Sequence, residues 1–242
     1  MTARLAIDAT SDRLSVAVGR EGAASVAESL QGARRHAGAL LPLIDRLLTR
    51  IDARVADVSL VAVADGPGSF TGIRVAFAAA KALAAEGAVL VTAPSLLVRA
   101  AGLIDSHRLI VPSSHRFEHP TRVLAVSSAL RGEVYAGIWS VAANRIDEVM
   151  SPRTISARDI ASLPPFDRAV GDGPEEFLAA VRAAREWPEA ATLLHLIDVP
   201  GATRTVLSPQ DFEPHYGRPA EAAAKWEREH GRPLPDSPGN AG

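Results

Sequence analysis

Val58–Ala64 reads VSLVAVA, residues 66–72 follow as GPGSFTG, and residues 73–85 continue as IRVAFAAAKALAA. A near-continuous apolar run bounded by turn residues marks a strand covered on both faces. The glycine-rich stretch after it permits a tight reversal, and the third stretch has helical spacing. The only charged residues of 73–85 are Arg74 and Lys81, seven apart and so on one stripe, while alanines make most of the remaining arc small. Such a helix is surrounded on nearly every side. A doubly buried strand feeding a buried helix is the signature of an α/β protein with a central sheet.

Working outward, residues 5–9, 14–18 and 23–28 read as strands separated by the turn-rich stretches 10–13 and 19–22, an antiparallel meander. Residues 36–51 form an amphipathic helix whose apolar positions, from Leu40 to Ile51, span about 160° of arc, wider than one sheet requires. Pro42 inside it predicts a bend. His36 heads this helix, with capping or packing as its expected role. Downstream come a strand at 89–92, a short helix from Ser95 to 101, and an irregular polar segment at 105–121 holding Pro112 and Pro120. A lobe boundary belongs there. Strands follow at 122–127, 133–141, near 149–155 and at 168–170, with helices at 157–163 and 174–185. Two meander-plus-helix halves indicate a duplicated architecture. An Ala- and Glu-rich helix at 219–231 and a tail without apolar periodicity close the chain.

The chain has 242 residues, 47% apolar and 22% charged, with a formal net charge of −2. That describes an ordinary globular protein, with no overall positive field to draw it onto nucleic acid. The absence of cysteine excludes thiol nucleophiles, disulfides and Cys-ligated zinc. Asp8 interrupts any amino-terminal signal sequence, and no run of about 18 apolar residues occurs, so a cytoplasmic protein without membrane contact is expected. Lysine stands only at Lys81 and Lys225, with arginine supplying the other basic residues. Genome composition accounts for that bias more simply than phosphate or RNA affinity.

Three constellations invite chemistry. The loop holding Gly66, Gly68, Ser69, Thr71 and Gly72 opens a helix and could hold an anion on free backbone N–H groups. It lacks the Lys-Ser/Thr end of a nucleoside-triphosphate loop and does not fit G-x-G-x-x-G. The structural alternative is a tight turn capped by Ser69 or Thr71. His115, Glu118 and His119 in HRFEH match the H-x-x-E-H metallopeptidase spacing, but Pro112 and Pro120 confine the segment to barely two helical turns, so no metal is expected. Asp8 stands where actin-like phosphotransferases carry an acidic residue beside a phosphate-gripping turn. Residues 8–12 contain no glycine to close on phosphate, and the matching turn at 127–132 has a glycine but no aspartate for magnesium.

LAIDAT, RRHAGALLPLIDRLL, GPGSFTGIRVAFAAAKALA, PSLL, RGEVYAG, GDG and PHYGRP occur in this order over residues 5–219. On these stretches the chain resembles the TsaB (YeaZ) family of bacterial tRNA threonylcarbamoyladenosine (t6A) synthesis. The resemblance implies an actin-like (ASKHA, ribonuclease H-like) α/β fold with two lobes, each a mixed sheet flanked by helices. It implies a non-catalytic subunit, without cofactor, that pairs with the catalytic paralogue TsaD. The ATPase TsaE works with that pair to modify adenosine 37 of tRNA. Without the partner, a homodimer through the apolar helix face is expected.

Within that resemblance the lobes are expected at 1–104 and 105–205, with 105–121 as an insertion. Residues 206–231 return to the first lobe, and 232–242 form a disordered tail. The metal-binding H-x-x-x-H of the paralogue falls on Ser95 and Arg99, so alanine at either is expected to leave tRNA modification near normal. The partner interface is expected on Leu40, Ile44, Leu47, Leu48 and Ile51 of the first helix and Arg74, Phe77, Ala78 and Lys81 of the second. Leu47→Glu with Ala78→Glu is then expected to break the pair without unfolding the chain. An active actin-like ATPase or kinase is the rival reading, and a metallopeptidase a weaker one.

Overall fold

Strand β4 (Val58–Ala64) lies in the interior of a six-stranded sheet, parallel to β1 (Ala3–Asp8) on one side and to β5 (Val89–Ala93) on the other. β1 continues through the antiparallel meander β2 (Arg13–Gly19) and β3 (Val26–Gln31), with Leu5 opposite Val18 and Ser15 opposite Ser29. The computed structural model describes residues 2–32, 36–108, 120–129, 132–142, 145–216 and 230. The HRFEH segment, the helix expected at 219–231 and the tail at 232–242 therefore fall outside the described residues, apart from residue 230.

Three apolar layers hold the fold together. On one face of the first sheet lie α1 (His36–Thr49) and α2 (Phe70–Ala85), which bury Leu40, Leu47, Ile73 and Phe77 against Leu5, Ile7, Val61 and Val63. On its other face, α3 (Ser95–Arg108) and α5 (Ala190–Leu196) fill the space between the two sheets. The second sheet has the order β8-β7-β6-β9, from β6 (Thr121–Ser128), β7 (Val134–Ala142), β8 (Arg145–Ile155) and β9 (Arg168–Gly171). Its far face is covered by α4 (Glu175–Val181) and the 3-10 turn Ala157–Ser162. Two mixed sheets, each flanked by helices, give the two-lobed actin-like architecture.

The structure corrects several boundaries. α2 begins at Phe70, because Ser69 Oγ accepts the Gly72 N–H at 3.2 Å and caps the first turn. α3 runs to Arg108, past the boundary expected at 104. The return to the first lobe precedes residue 205: α5 packs on β1 and β2, and β10 (Arg204–Thr205) pairs with β5. Leu193 and Leu196 face the same core as Ala6 and Ala17, so the first sheet draws this segment in before the expected point. α1 continues through Pro42, which has no N–H to give the carbonyl of Gly38. Gly38 is exposed, so water can take up that carbonyl. No helix among the described residues is long and apolar enough to cross a membrane.

Candidate functional site

β1 ends in Asp8, and the chain turns at once through Thr10, Ser11 and Asp12 into β2. The Thr10 N–H and hydroxyl both donate to Asp8 Oδ1 at 2.9 Å, so the side chain pins its own turn. Above this turn the lobes enclose a cleft of about 320 Å³. Its walls include Thr10, Asp12 and Ser69 from the first lobe and Ser127, Ser128 and Asp172 from the second, with Trp187 at the side. None of the described residues that line it is cationic.

Beneath the cleft lies Arg99, carried on α3 and only 2% exposed. Its guanidinium donates to the Val126 carbonyl at 2.8 Å and is ion-paired with Asp172. Asp172 also accepts the Ser128 N–H at 3.2 Å, which joins the ends of β6 and β9. Gly171 makes this possible, because its φ of +137° suits glycine and a Cβ would run into the Val126 carbonyl and crowd the guanidinium. Asp8, fully buried, is pushed up to about pKa 7 by desolvation, against the two Thr10 hydrogen bonds and the Arg99 charge, with Glu189 adding to the rise. Glu189 is engaged by Ser15 at 2.9 Å, Ser29 at 2.8 Å and Arg13 at 2.9 Å, which ties the head of α5 to β2 and β3.

The two positions expected in place of a metal pair have structural partners. Ser95 Oγ donates to the Pro67 carbonyl at 2.6 Å, and Arg99 spans to the second lobe. Alanine at Arg99 would leave Asp172 without its cation and the Val126 carbonyl without this donor, so a cost in stability is expected there. The signal in the sequence is a lone charge in the apolar stretch SLLVRAAGL, which requires a buried partner without naming it.

The glycine loop does less than its composition offers. A Cβ at Gly66 would strike the His215 carbonyl, one at Gly68 the Thr10 carbonyl, and one at Gly72 the Ala9 carbonyl. The loop thus lies against the protein's own backbone, and the Ser69 N–H donates to Thr10 O at 2.6 Å. Gly68 and Ser69 line the cleft, while the N–H groups of Ser69 and Gly72 are already engaged. Thr71 is exposed on the first turn of α2. Asp65, just before the loop, is nearly buried and held above the usual carboxylate range by desolvation, opposed by Thr92, Arg204 and His215.

The expected interface is corrected by burial. Leu40, Ile44, Leu47, Leu48 and Phe77 are each at most 3% exposed within the first lobe's own core and present no surface to a partner. Ile51 is half-buried. A strap at residues 206–216 accounts for part of this, since Phe212 stacks on Phe77 at 5.3 Å, Lys81 Nζ donates to the Gln210 carbonyl at 3.1 Å and Tyr216 meets Phe70 at 4.5 Å. Arg74, over the Phe70 ring at 5.2 Å, and Ala78 remain exposed. The wide apolar arc of α1 faces inward, and the residue it leaves out is Leu41, 64% exposed. The double substitution expected to preserve the fold contains Leu47, which is fully buried, so the expectation fails for that position.

The family described as "TsaD: tRNA N6-adenosine threonylcarbamoyltransferase" matches residues 29–193. The tRNA threonylcarbamoyladenosine biosynthesis protein TsaB of Bacillus subtilis is 26% identical over 239 residues, 92% of this chain and 96% of that one. The protein of the same name from Escherichia coli is 29% identical over 163 residues, 64% of each chain. Among solved structures, YeaZ from Pseudomonas aeruginosa superposes with a TM-score of 0.70 at 23% identity, over 88% of this chain and 99% of that one, a likeness of fold. The lobed fold, the loop packed on the first turn and these matches together place the chain in the TsaD-like family of t6A biosynthesis proteins, within its TsaB (YeaZ) group.

Proposed function

We propose that the chain is a non-catalytic, activating subunit in t6A synthesis that pairs with a TsaD-type catalytic subunit and works with a TsaE-type ATPase. The observation that carries this reading is Arg99. Where the catalytic paralogue is expected to place the second histidine of its metal pair, this chain has a buried guanidinium engaged by Val126 and Asp172. A guanidinium is a donor without a lone pair for a metal. Contact with tRNA comes through the complex, no cofactor is required, and the protein works in the cytoplasm. The pairing surface is the outer side of α1 and α2, where Leu41, Arg74 and Ala78 are exposed. Half-buried Ile51 lies at the edge of that surface. An unpaired catalytic subunit loses the rigid geometry that transfer needs, which binding restores.

Depletion of the protein in its own host is expected to lower t6A in bulk tRNA, measured by nucleoside mass spectrometry. Complementation with wild type restores the level, and with Leu41→Glu plus Ala78→Glu it does not. Full modification after depletion overturns the reading. The rival, an ATPase using the inter-lobe cleft, is favoured only by the cleft's place between two hydroxyl-bearing turns. Steady ATP hydrolysis by the isolated protein with magnesium would establish it.

A further inference from the structure

Asp8 Oδ2 and Arg99 Nε are buried at the junction of the lobes and find no hydrogen-bond partner among the described residues. Unsatisfied buried groups are few in native proteins and require an explanation. These two are complementary, a carboxyl acceptor and a guanidinium donor, on side chains that already act on each other electrostatically. Asp8 belongs to the first sheet, whereas the Arg99 guanidinium reaches Val126 and Asp172 of the second lobe through its terminal nitrogen.

We propose that Arg99 is a two-position latch: it holds Asp172 at the cleft wall while Asp8 keeps its proton, and turns its Nε–H to Asp8 Oδ2 when that carboxyl ionises, releasing Asp172 into the cleft. This inference does not depend on the proposed function. Thr10 occupies Oδ1 with two hydrogen bonds, so Oδ2 alone is left to take the new one. Among the described residues, the charges that act on Asp8 come from two helices. Arg99 reaches it from α3, and Glu189 acts on it from the head of α5. Glu189 is held by Arg13 of β2, and Asp65 at the end of β4 is paired with Arg204 at 3.4 Å. Asp172 is the competing partner of Arg99. Burial pushes the Asp8 carboxyl up to about 7, which places the exchange near neutral pH.

The test is a titration of the whole chain by NMR between about pH 5 and about pH 9, which brackets the expected midpoint. The Asp8 carboxyl carbon and the Arg99 Nε–H signal are expected to move with one midpoint, as the Nε–H passes from no acceptor to a charged one. In Asp8→Asn the Arg99 signal stays at its low-pH position throughout. Arg99→Lys keeps the charge but lacks the Nε–H, and its Asp8 midpoint is expected to rise by about one unit, a tenfold change in proton affinity. An Arg99 Nε–H that does not move while Asp8 ionises overturns the latch. So does an Asp8 that stays charged across the range. Both outcomes are read in the wild-type chain, whether or not the variants fold.

Discussion

Asp8 keeps its proton to about pH 7 in the folded chain, while an unperturbed aspartate loses it near 3.8. Between those values the folded state binds more protons than the unfolded one, so this residue's contribution to stability falls as pH rises and is flat above about 7. The shift corresponds to about 4 kcal/mol. Asp8→Asn retains an oxygen for Thr10 and removes the ionisation. It is expected to gain about 2–4 kcal/mol over wild type at about pH 8 and almost nothing at about pH 4. Urea melts at those two pH values check it, and a pH-independent difference would refute the assignment. Gly171 supports the same junction from the other lobe. Gly171→Ala meets both a left-handed φ and the Val126 carbonyl, and is expected to cost about 3 kcal/mol or more in the same assay.

At the scale of elements, α1 separates what the sequence showed from what it hid. Its helical period and the apolar positions were legible, because spacing alone fixes which side chains share a face. Their destination was not, since an arc of about 160° fits either a partner or a core wrapped by two surfaces. The missing fact was tertiary: α1 packs on β2 and β3 on one side and against α2 on another. The Asp8–Arg99–Asp172 group was hidden for the same reason, its members being joined only by tertiary contact. The glycine loop was legible as a strand-to-helix turn, with Ser69 as one of its two candidate caps, and Ser69 proves to be the cap. Two substitutions on α1 should therefore diverge. Leu47→Ala is expected to destabilise by about 2–5 kcal/mol through a core cavity. Leu41→Glu is expected to stay within about 0.5 kcal/mol. Thermal melts of the two proteins distinguish them, and equal losses would show that the helix faces are misassigned.

For the whole molecule, duplication was legible in the repeat of strands and helices on either side of 105–121, whereas the crossing of α5 and β10 back to the first sheet was not. Both are short, and a two-residue strand has no period to read. The crossing makes the first lobe the larger body and leaves the outer side of α1 and α2 as its broad helical surface. Leu41 of α1 and the small side chains of Ala78 and Ala82 of α2 are exposed, and small residues let another helix approach closely. A two-fold pairing of such a surface is self-complementary. In the absence of a catalytic partner the chain is expected to run by light scattering at twice its 25.4 kDa. Leu41→Glu with Ala78→Glu places like charges across that axis and desolvates them, and is expected to give the monomer mass with an unchanged melting temperature after correction for dissociation. A wild-type monomer at high concentration, or a double variant that still pairs, would move the pairing surface elsewhere on the molecule.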